Sequence, residues 1–312
     1  MKRLIGLLIF VAMIAYAAEL SREAQEVLRN GAKVKMTFRV TNSQKKVVTN
    51  ANVRVLFCSL NNLAQESVFT TDTNGMCVVE GICSKRISCL FAKDEHYQTE
   101  YEHKLLASYP NPDVKDGKWQ PWNPTIEITL KEKRNPVSMI AKQVEMKLPN
   151  KNEPFGFDFK IGDWVKPHGK GEQPDLLFLC NIEERGHILD LKAELFIMAA
   201  QPEEGVTINL SDQWSQFGSS YEAQEGGYKS QYYLVEDRTP SKILQKIELT
   251  QAEYLTFRSR IVRDDEGNII SSHYGKITSI EYGRVNTRSS DARVSFIYYF
   301  NPTPNDRNLE SK

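Results

Sequence analysis

The sequence predicts an all-β protein of two β-sandwich domains, preceded by a signal peptide and one short helix. From Lys33 onward most segments alternate apolar and polar residues with a period of two, as in 34–40 (VKMTFRV). Turn signatures such as 71–75 (TDTNG) and 264–268 (DDEGN) separate these segments. Helical periodicity is confined to the region before Gly31. Short alternating strands joined by turns are typical of antiparallel sheets with one solvated face.

The N-terminus predicts export from a bacterium. Lys2 and Arg3 form a positive region, 4–14 is apolar, and Ala15-Tyr16-Ala17 is an A-x-A cleavage site, so residues 1–17 read as a signal peptide. The apolar run is shorter than the about 20 residues that a membrane span needs. We expect a mature chain beginning near Ala18, without a transmembrane anchor, in the periplasm, outside the cell or on its surface. The alternative is an uncleaved N-terminal helix.

The charge balance of the chain indicates which classes of partner are not expected. The chain has 40 Lys+Arg and 40 Asp+Glu, a net charge of zero, and removal of the signal peptide leaves it slightly acidic. A balanced charge gives no electrostatic reason to expect nucleic acid as a partner. It also argues against a polybasic membrane-surface protein.

The elements follow in order. Residues 19–31 predict a short helix, with Ser21 as N-cap and Asn30-Gly31 as its stop. Residues 33–132 predict the first sandwich, in which 109–124, with four prolines, is a long loop. The domain boundary is predicted at 131–136, a charged run ending in Asn-Pro.

Residues 137–301 predict the second sandwich domain, because their alternating segments are sufficient for two packed sheets. Its clearest predicted strands are 175–182, 187–198, 206–210, 228–235, 254–262, 269–282 and 293–300. Residues 302–312 predict a disordered tail.

Four of the five cysteines lie close together in the sequence, and they are Cys58, Cys77, Cys83 and Cys89. In an oxidising compartment they allow two disulfides with three possible connectivities, with Cys180 left over. The alternative is that they are buried thiols. No C-x-x-C pair occurs, so we expect neither a structural zinc site nor a thioredoxin-like centre.

The first domain carries a family resemblance. Residues 40–55 (VTNSQKKVVTNANVRV) read as strand, polar turn and strand, and are followed by 71–75 (TDTNG), Gly81 and 92–97 (AKDEHY). This order resembles the carboxypeptidase regulatory-like, or prealbumin-like, β-sandwich, whose members read as a strand, G-x-P-V-x-G-A-x-V, T-D-x-x-G and K-x-G-Y. The chain departs from that pattern at 45–46 (KK) and 49–50 (TN), where glycines are usual, and at His96.

That resemblance covers residues 33–131 and implies a non-catalytic, immunoglobulin-like accessory sandwich of the kind found in carbohydrate-binding and cell-surface proteins. The second domain resembles domains of uncharacterised exported bacterial proteins, which implies no activity. A fold does not determine a function, so the site residues have to carry that argument.

Catalytic and cofactor motifs are missing from the sequence, which has no G-x-S-x-G, H-E-x-x-H or P-loop. Residues 94–96 (DEH) with Glu102 and His103 are the densest potential metal ligands, but their spacing fits no ligand frame. We therefore expect no metal site, no cofactor and no catalytic residue.

A second polar group surrounds Trp164 and consists of Asp163, His168, Glu172 and Asp175. Paired carboxylates of this kind hydrolyse glycosides when they lie at a working distance. A hydrolase with an unrecognised site in the second domain is therefore one alternative.

The four tryptophans are the candidate binding residues, and they are Trp119, Trp122, Trp164 and Trp214. Aromatic side chains on sandwich loops stack on sugars or fill a partner's pocket. They can equally cover a sandwich end or a domain interface. We expect an exported, non-catalytic binding or adhesion protein whose ligand is a carbohydrate or a cell-envelope protein. The other alternative is a structural or assembly spacer of the cell envelope.

Overall fold

The computed structural model describes residues 22–59, 64–105, 113–150, 153–187, 189–212, 214–284 and 291–312. The predicted signal peptide lies outside the described residues, as do the first four residues of the predicted loop 109–124. No helix within these ranges has the length and hydropathy that a membrane crossing requires.

The prediction of an all-β fold is confirmed, since strands dominate the described residues and α1 (Arg22–Asn30) is a single short helix. The strands of the first part of the chain are β1 (Ala32–Asn42), β2 (Asn52–Cys58), β3 (Gln65–Thr70), β4 (Met76–Cys83), β5 (Arg86–Ala92), β6 (Thr99–Lys104), β7 (Val114–Lys115), β8 (Lys118–Trp119) and β9 (Thr125–Leu130). Those of the remainder are β10 (Ile140–Lys147), β11 (Phe155–Asp158), β12 (Asp163–Trp164), β13 (Leu176–Glu184), β14 (Leu191–Ala199), β15 (Gly205–Leu210), β16 (Gln231–Arg238), β17 (Ile243–Ile247), β18 (Glu253–Arg263), β19 (Ile269–Arg284) and β20 (Ala292–Asn301).

The chain divides into two compact units, and the division after Lys133 falls inside the range 131–136 predicted from the charged run. The first unit also includes Trp214–Phe217, although the chain on both sides of this segment belongs to the second unit. No pattern in the sequence predicts that these four residues belong to the first unit.

The first unit has two sheets. Sheet 1 has the order β4-β1-β8-β7, with β9 also pairing with β1 in parallel, and sheet 2 has the order β3-β2-β5-β6. Alternate residues of β2 are buried, as the period of two predicts for a strand with one wet face. Phe38 of sheet 1 and Phe91 of sheet 2 are fully buried and pack edge to face, with ring centroids 5.1 Å apart. The hydrophobic core therefore lies between the two sheets.

The second unit is also built from two sheets. Sheet 3 has the order β10-β20-β19-β18-β15, and sheet 4 has the order β12-β11-β13-β14-β16-β17. Phe178 of sheet 4 stacks on Phe296 of sheet 3 with centroids 5.1 Å apart, and both rings are buried. The inner faces of sheets 3 and 4 thus form one core, as in a β-sandwich.

The prediction of a disordered tail over residues 302–312 is wrong. Leu309 and Glu310 are buried, and the Glu310 carboxylate accepts hydrogen bonds from the backbone N–H groups of Arg134 and Asn135 at 2.8 and 2.7 Å. The Lys276 ammonium donates to the Leu309 carbonyl at 2.9 Å. The polar composition predicted disorder, but these distant partners hold the segment in place.

Candidate functional site

Two of the four candidate tryptophans are core residues. Trp119 is 2% exposed and its indole Nε1 donates to the Cys83 carbonyl at 2.8 Å. Trp164 is 3% exposed and its Nε1 donates to the Lys147 carbonyl at 3.1 Å. Because both rings are buried and both polar groups are paired, neither presents a face to an external ligand, which corrects the expectation for these two.

The other two tryptophans differ in exposure. Trp122 is half-buried, and the Lys118 ammonium lies 5.1 Å from its ring centroid. Trp214 is 43% exposed. Its ring centroid lies 6.3 Å from that of Tyr101, at the edge of sheet 2. Among the four, Trp214 therefore offers the largest free aromatic surface.

Backbone hydrogen bonds hold Trp214 in place. The Glu100 N–H donates to the Trp214 carbonyl at 2.7 Å, and the Gln216 N–H donates to the Gln98 carbonyl at 2.8 Å. Thr99 and Ser215 form an antiparallel bridge between these two bonds. Residues 214–216 thus extend sheet 2 beyond β6 as a short added strand.

Phe217 anchors the end of that segment. Its ring lies 4.9 Å from the buried Tyr97 ring, centroid to centroid, and its carbonyl accepts a hydrogen bond from the Lys131 ammonium at 2.9 Å. Backbone hydrogen bonds and the packing of the neighbouring Phe217 therefore hold the Trp214 backbone in place. The Trp214 ring itself is not needed for this and stays exposed.

The outer face of sheet 2 forms a shallow depression beside Trp214. Arg54, Leu90 and Glu100 are aligned across β2, β5 and β6, and Leu56, Ser88 and Glu102 form the next row. A cavity of about 450 Å³ lies over these rows and reaches Trp214. A second, polar cavity of about 780 Å³ begins at Arg54 and Leu90 and extends to residues 92–96 and Lys133.

Charges of both signs line this surface. Arg54 pairs with Glu66 at 3.4 Å, and Arg86 pairs with Glu102 at 3.2 Å, while the side chain of Glu100 is exposed. A surface that mixes half-buried leucines, carboxylates, a guanidinium and an aromatic ring matches a ligand that has both apolar and hydroxyl-bearing faces.

Tyr101 and His103 lie behind Trp214. The Tyr101 hydroxyl is 3.3 Å from His103 Nδ1. Burial, with a smaller contribution from Cys89, raises the pKa of Tyr101, and burial lowers the pKa of His103. Both side chains are therefore neutral at pH 7 and serve as hydrogen-bonding groups rather than as charges.

The candidate metal ligands are not assembled into a metal site. His96 Nδ1 lies 2.8 Å from the Asp94 carbonyl oxygen in the turn after β5, and His103 contacts Tyr101. Within the described part of the chain no group of three or more His, Cys, Asp or Glu side chains is placed to hold a metal ion.

The acidic residues near Trp164 include a buried structural cluster. Asp175 accepts hydrogen bonds from Arg260 Nε at 2.7 Å, from Ser259 Oγ at 2.7 Å and from the Phe159 N–H at 2.7 Å. Asp158 accepts a bond from Arg260 Nη2 at 2.7 Å. Asp175 is thus engaged on every side by donors and is not a free catalytic carboxylate.

The same cluster has a distinctive backbone. Arg260 has φ of +53°, and the pairing of β18 with β19 shifts register between Ser259 and Val262. A β-bulge of this kind redirects a side chain. Burial opposes ionisation of Asp158, but backbone N–H donors and the Arg260 guanidinium lower its pKa overall.

The five cysteines carry free thiols in the structure. Cys58 is half-buried and Cys77, Cys83, Cys89 and Cys180 are buried. Burial is the main cause that raises the pKa of Cys77 to about 11 and those of Cys83, Cys89 and Cys180 to about 12. Bridges among the first four remain a prediction, which counting thiols in the native protein decides.

No family model matches the chain, and no curated protein matches it. Among solved structures, a chlorocatechol 1,2-dioxygenase from Pseudomonas putida is similar over 33% of this chain and 61% of that enzyme, with 10% identity and a TM-score of 0.27. The matched part therefore spans about six tenths of the dioxygenase. A DUF3823 family protein from Parabacteroides merdae is similar over 86% of this chain and 98% of that protein, with 9% identity and a TM-score of 0.22. At such TM-scores these similarities carry no argument.

The sequence predicts Trp214 as a binding residue but does not indicate which residues surround it. Arg54, Leu90 and Glu100 are separated by 10 or more positions and meet through strand pairing. The alternation in β2 is the sequence signal that shows which of its side chains face solvent. It does not show that this strand shares a surface with β5 and β6.

Proposed function

We propose that this protein is an exported, non-catalytic binding protein that takes a carbohydrate on the outer face of sheet 2, with Trp214 as the stacking residue. The observation that carries the proposal is the exposed Trp214 ring, which backbone pairing fixes beside a depression lined by polar and apolar side chains. Export rests on the N-terminal residues 1–17, and the carboxypeptidase regulatory-like resemblance of residues 33–131 is part of the same proposal.

The chemistry of a sugar fits this surface. The C–H face of a pyranose is apolar and packs on an aromatic ring, whereas its hydroxyl groups need donors and acceptors. Glu100 supplies acceptors and Arg54 supplies donors on the row nearest the ring. Leu56 and Leu90 are half-buried and give the depression an apolar floor. Preformed positions reduce the entropy lost on binding.

The experiment is a glycan array with the purified protein, followed by calorimetry on each bound glycan. Trp214→Ala is expected to weaken binding about 30-fold, because truncation of an aromatic residue at the centre of an interface costs about 2 kcal/mol or more. Its melting temperature should change little, since the ring is exposed.

Trp122→Ala is the matched control, because it removes the same ring from the same unit at a half-buried position away from sheet 2. It is expected to bind glycans as the unmodified protein does. If the unmodified protein binds no glycan, or if Trp214→Ala binds as tightly as the control, the proposed function is wrong and a spacer or a protein-binding role takes its place.

A further inference from the structure

Charged residues occupy the inner face of sheet 4 near one end of β16. Leu234 is fully buried and points into the core of the second unit. Two and four residues further on, Glu236 pairs opposite Ala193 and Arg238 pairs opposite Leu191, and both of these partners are buried. Because directly opposed residues project to the same face of a sheet, Glu236 and Arg238 also point inward.

Sheet 3 presents a matching group at the same end of the core. Arg284 pairs opposite the buried Ala292, and Tyr282 pairs opposite the buried Val294. The Arg284 side chain is 11% exposed. One arginine from each sheet therefore projects from an inner face at this end of the core, and the Arg238 side chain, at 36% exposure, is the more accessible of the two.

These side chains line a cavity of about 230 Å³, and Arg293 also contributes to its wall. Gly283 and Arg293 pair opposite each other on the outer face of sheet 3, so they border the cavity at its edge. A cavity of this size accommodates a carboxylate or phosphate group.

The hydrogen-bonding groups of Arg238 are incompletely used. Its Nη1 lies 3.2 Å from a Glu236 carboxylate oxygen. Its Nε is buried and has no hydrogen-bond partner among the described residues. A guanidinium has five N–H donors in a planar fork that matches the oxygens of a carboxylate or phosphate. Two of the lining arginines, Arg238 and Arg284, project from the inner faces beside the single carboxylate of Glu236, and Arg284 also pairs with Glu184 at 3.4 Å.

We propose that this pocket of the second unit binds an oxyanion, the carboxylate or phosphate group of a larger ligand, between Arg238 and Arg284. Burial, together with the nearby Glu236 carboxylate, raises the pKa of Tyr282, so its hydroxyl stays protonated and is available to donate a hydrogen bond to the anion. The site does not depend on the carbohydrate surface proposed for the first unit, and either one can fail without the other.

The test is calorimetric titration of the full chain with inorganic phosphate and, separately, with glucuronate, at an ionic strength held constant with sodium chloride. The unmodified protein is expected to bind at least one of them. Tighter binding of phosphate identifies a tetrahedral anion as the ligand group, and tighter binding of glucuronate identifies a planar carboxylate. Binding of neither anion overturns the proposal.

Variants locate the binding. Arg238→Gln is expected to weaken it about tenfold or more, because charge-assisted hydrogen bonds are lost. Arg263→Gln is the matched control, since this arginine lies in the same unit, pairs with Glu203 and is outside the pocket. Equal affinities of these two variants would show that the anion binds elsewhere and would overturn the proposal.

Glu236→Gln keeps both inward-pointing arginines and removes the carboxylate that competes with the ligand. It is expected to bind the anion several-fold more tightly than the unmodified protein, because like charges in the pocket repel. This variant keeps the proposal testable if Arg238→Gln does not fold. Unchanged or weaker binding by Glu236→Gln would contradict the assigned position of the anion.

Discussion

Two groups of charged residues in the second unit differ in how completely their hydrogen-bonding atoms are paired. The Arg260 guanidinium donates through Nε and Nη2 to Asp158 and Asp175, at distances between 2.7 and 2.9 Å. Arg238 instead keeps a buried Nε without a partner among the described residues. A buried structural salt bridge requires that its hydrogen-bonding atoms are paired, whereas a ligand site requires an unused donor in a cavity. We therefore expect the first group to determine stability and the second to determine binding.

The largest expected effect is the loss of stability in Arg260→Met. This change leaves the carboxylates of Asp158 and Asp175 buried without their cation, so the free energy of unfolding should fall by about 3–5 kcal/mol. Methionine has no branch at Cβ, as arginine has none, so the positive φ at this position is not made worse. Urea denaturation of the full chain measures the effect. Arg263→Met, at an exposed pair, should change the free energy of unfolding by less than about 1 kcal/mol. Equal losses in Arg260→Met and Arg263→Met would show that the buried pair is no more important for stability than the exposed one.

A second effect of almost the same size concerns Glu204, which borders the Arg260 cluster and accepts a hydrogen bond from the Ile261 N–H at 3.0 Å. Burial is the main cause that raises its pKa from 4.5 to about 7. The folded chain therefore holds this proton more tightly than the unfolded chain does. The stabilising contribution is complete below pH 4.5 and is lost as the pH rises to about 7.

Between pH 5 and 8 this loss should amount to about 2–3 kcal/mol of unfolding free energy, at about 1.4 kcal/mol for each pKa unit. Urea denaturation of the unmodified protein and of Glu204→Gln at both pH values measures it. Glutamine does not titrate, so its effect is a constant offset and the difference between the two proteins isolates the glutamate. Parallel pH profiles would show that the buried cluster is not sensitive to this carboxyl group.

The smallest expected change in the free energy of unfolding distinguishes the Arg238 group from the Arg260 group most clearly. Arg238→Gln should alter the free energy of unfolding by less than about 1 kcal/mol in the absence of an anion, because the arginine leaves one donor unsatisfied and pairs with a partly exposed glutamate. Phosphate or glucuronate, whichever binds, should raise the stability of the unmodified protein but not that of the variant. A loss of 3 kcal/mol without any anion would place Arg238 in the same structural class as Arg260.

The fold was predictable because alternation is a local property of strands. The predicted segment 175–182 corresponds to β13, where buried and less buried residues alternate over most of the strand, and 254–262 corresponds to β18, where a buried run of four residues precedes the alternation. The resemblance of residues 33–131 to a known sandwich family stays a prediction, because no family model matches.

Contacts between distant residues were not predictable in the same way. The prolines around Trp119 predict a loop residue, yet the ring is buried and its Nε1 donates to the carbonyl of Cys83, 36 residues away. Arg260 reaches Asp158 across 102 positions. The inward direction of Arg238 follows only once the pairing of β16 with β14 is known, since the same residue in an unpaired strand would be taken as solvent-facing.

The placement of Trp214–Phe217 in the first unit has a consequence for biosynthesis. The 80 residues Arg134–Gln213 separate this segment from the rest of its unit. A ribosome adds roughly 5–20 residues per second, so in a chain that folds during synthesis the first unit waits on the order of 4 to 16 seconds for its last strand. Until that strand pairs, the outer edge of β6 presents unpaired N–H and C=O groups, which are a template for another chain. The first unit is therefore most exposed to aggregation before residues 214–217 are in place, and a fragment ending at Lys133 retains that exposed edge permanently.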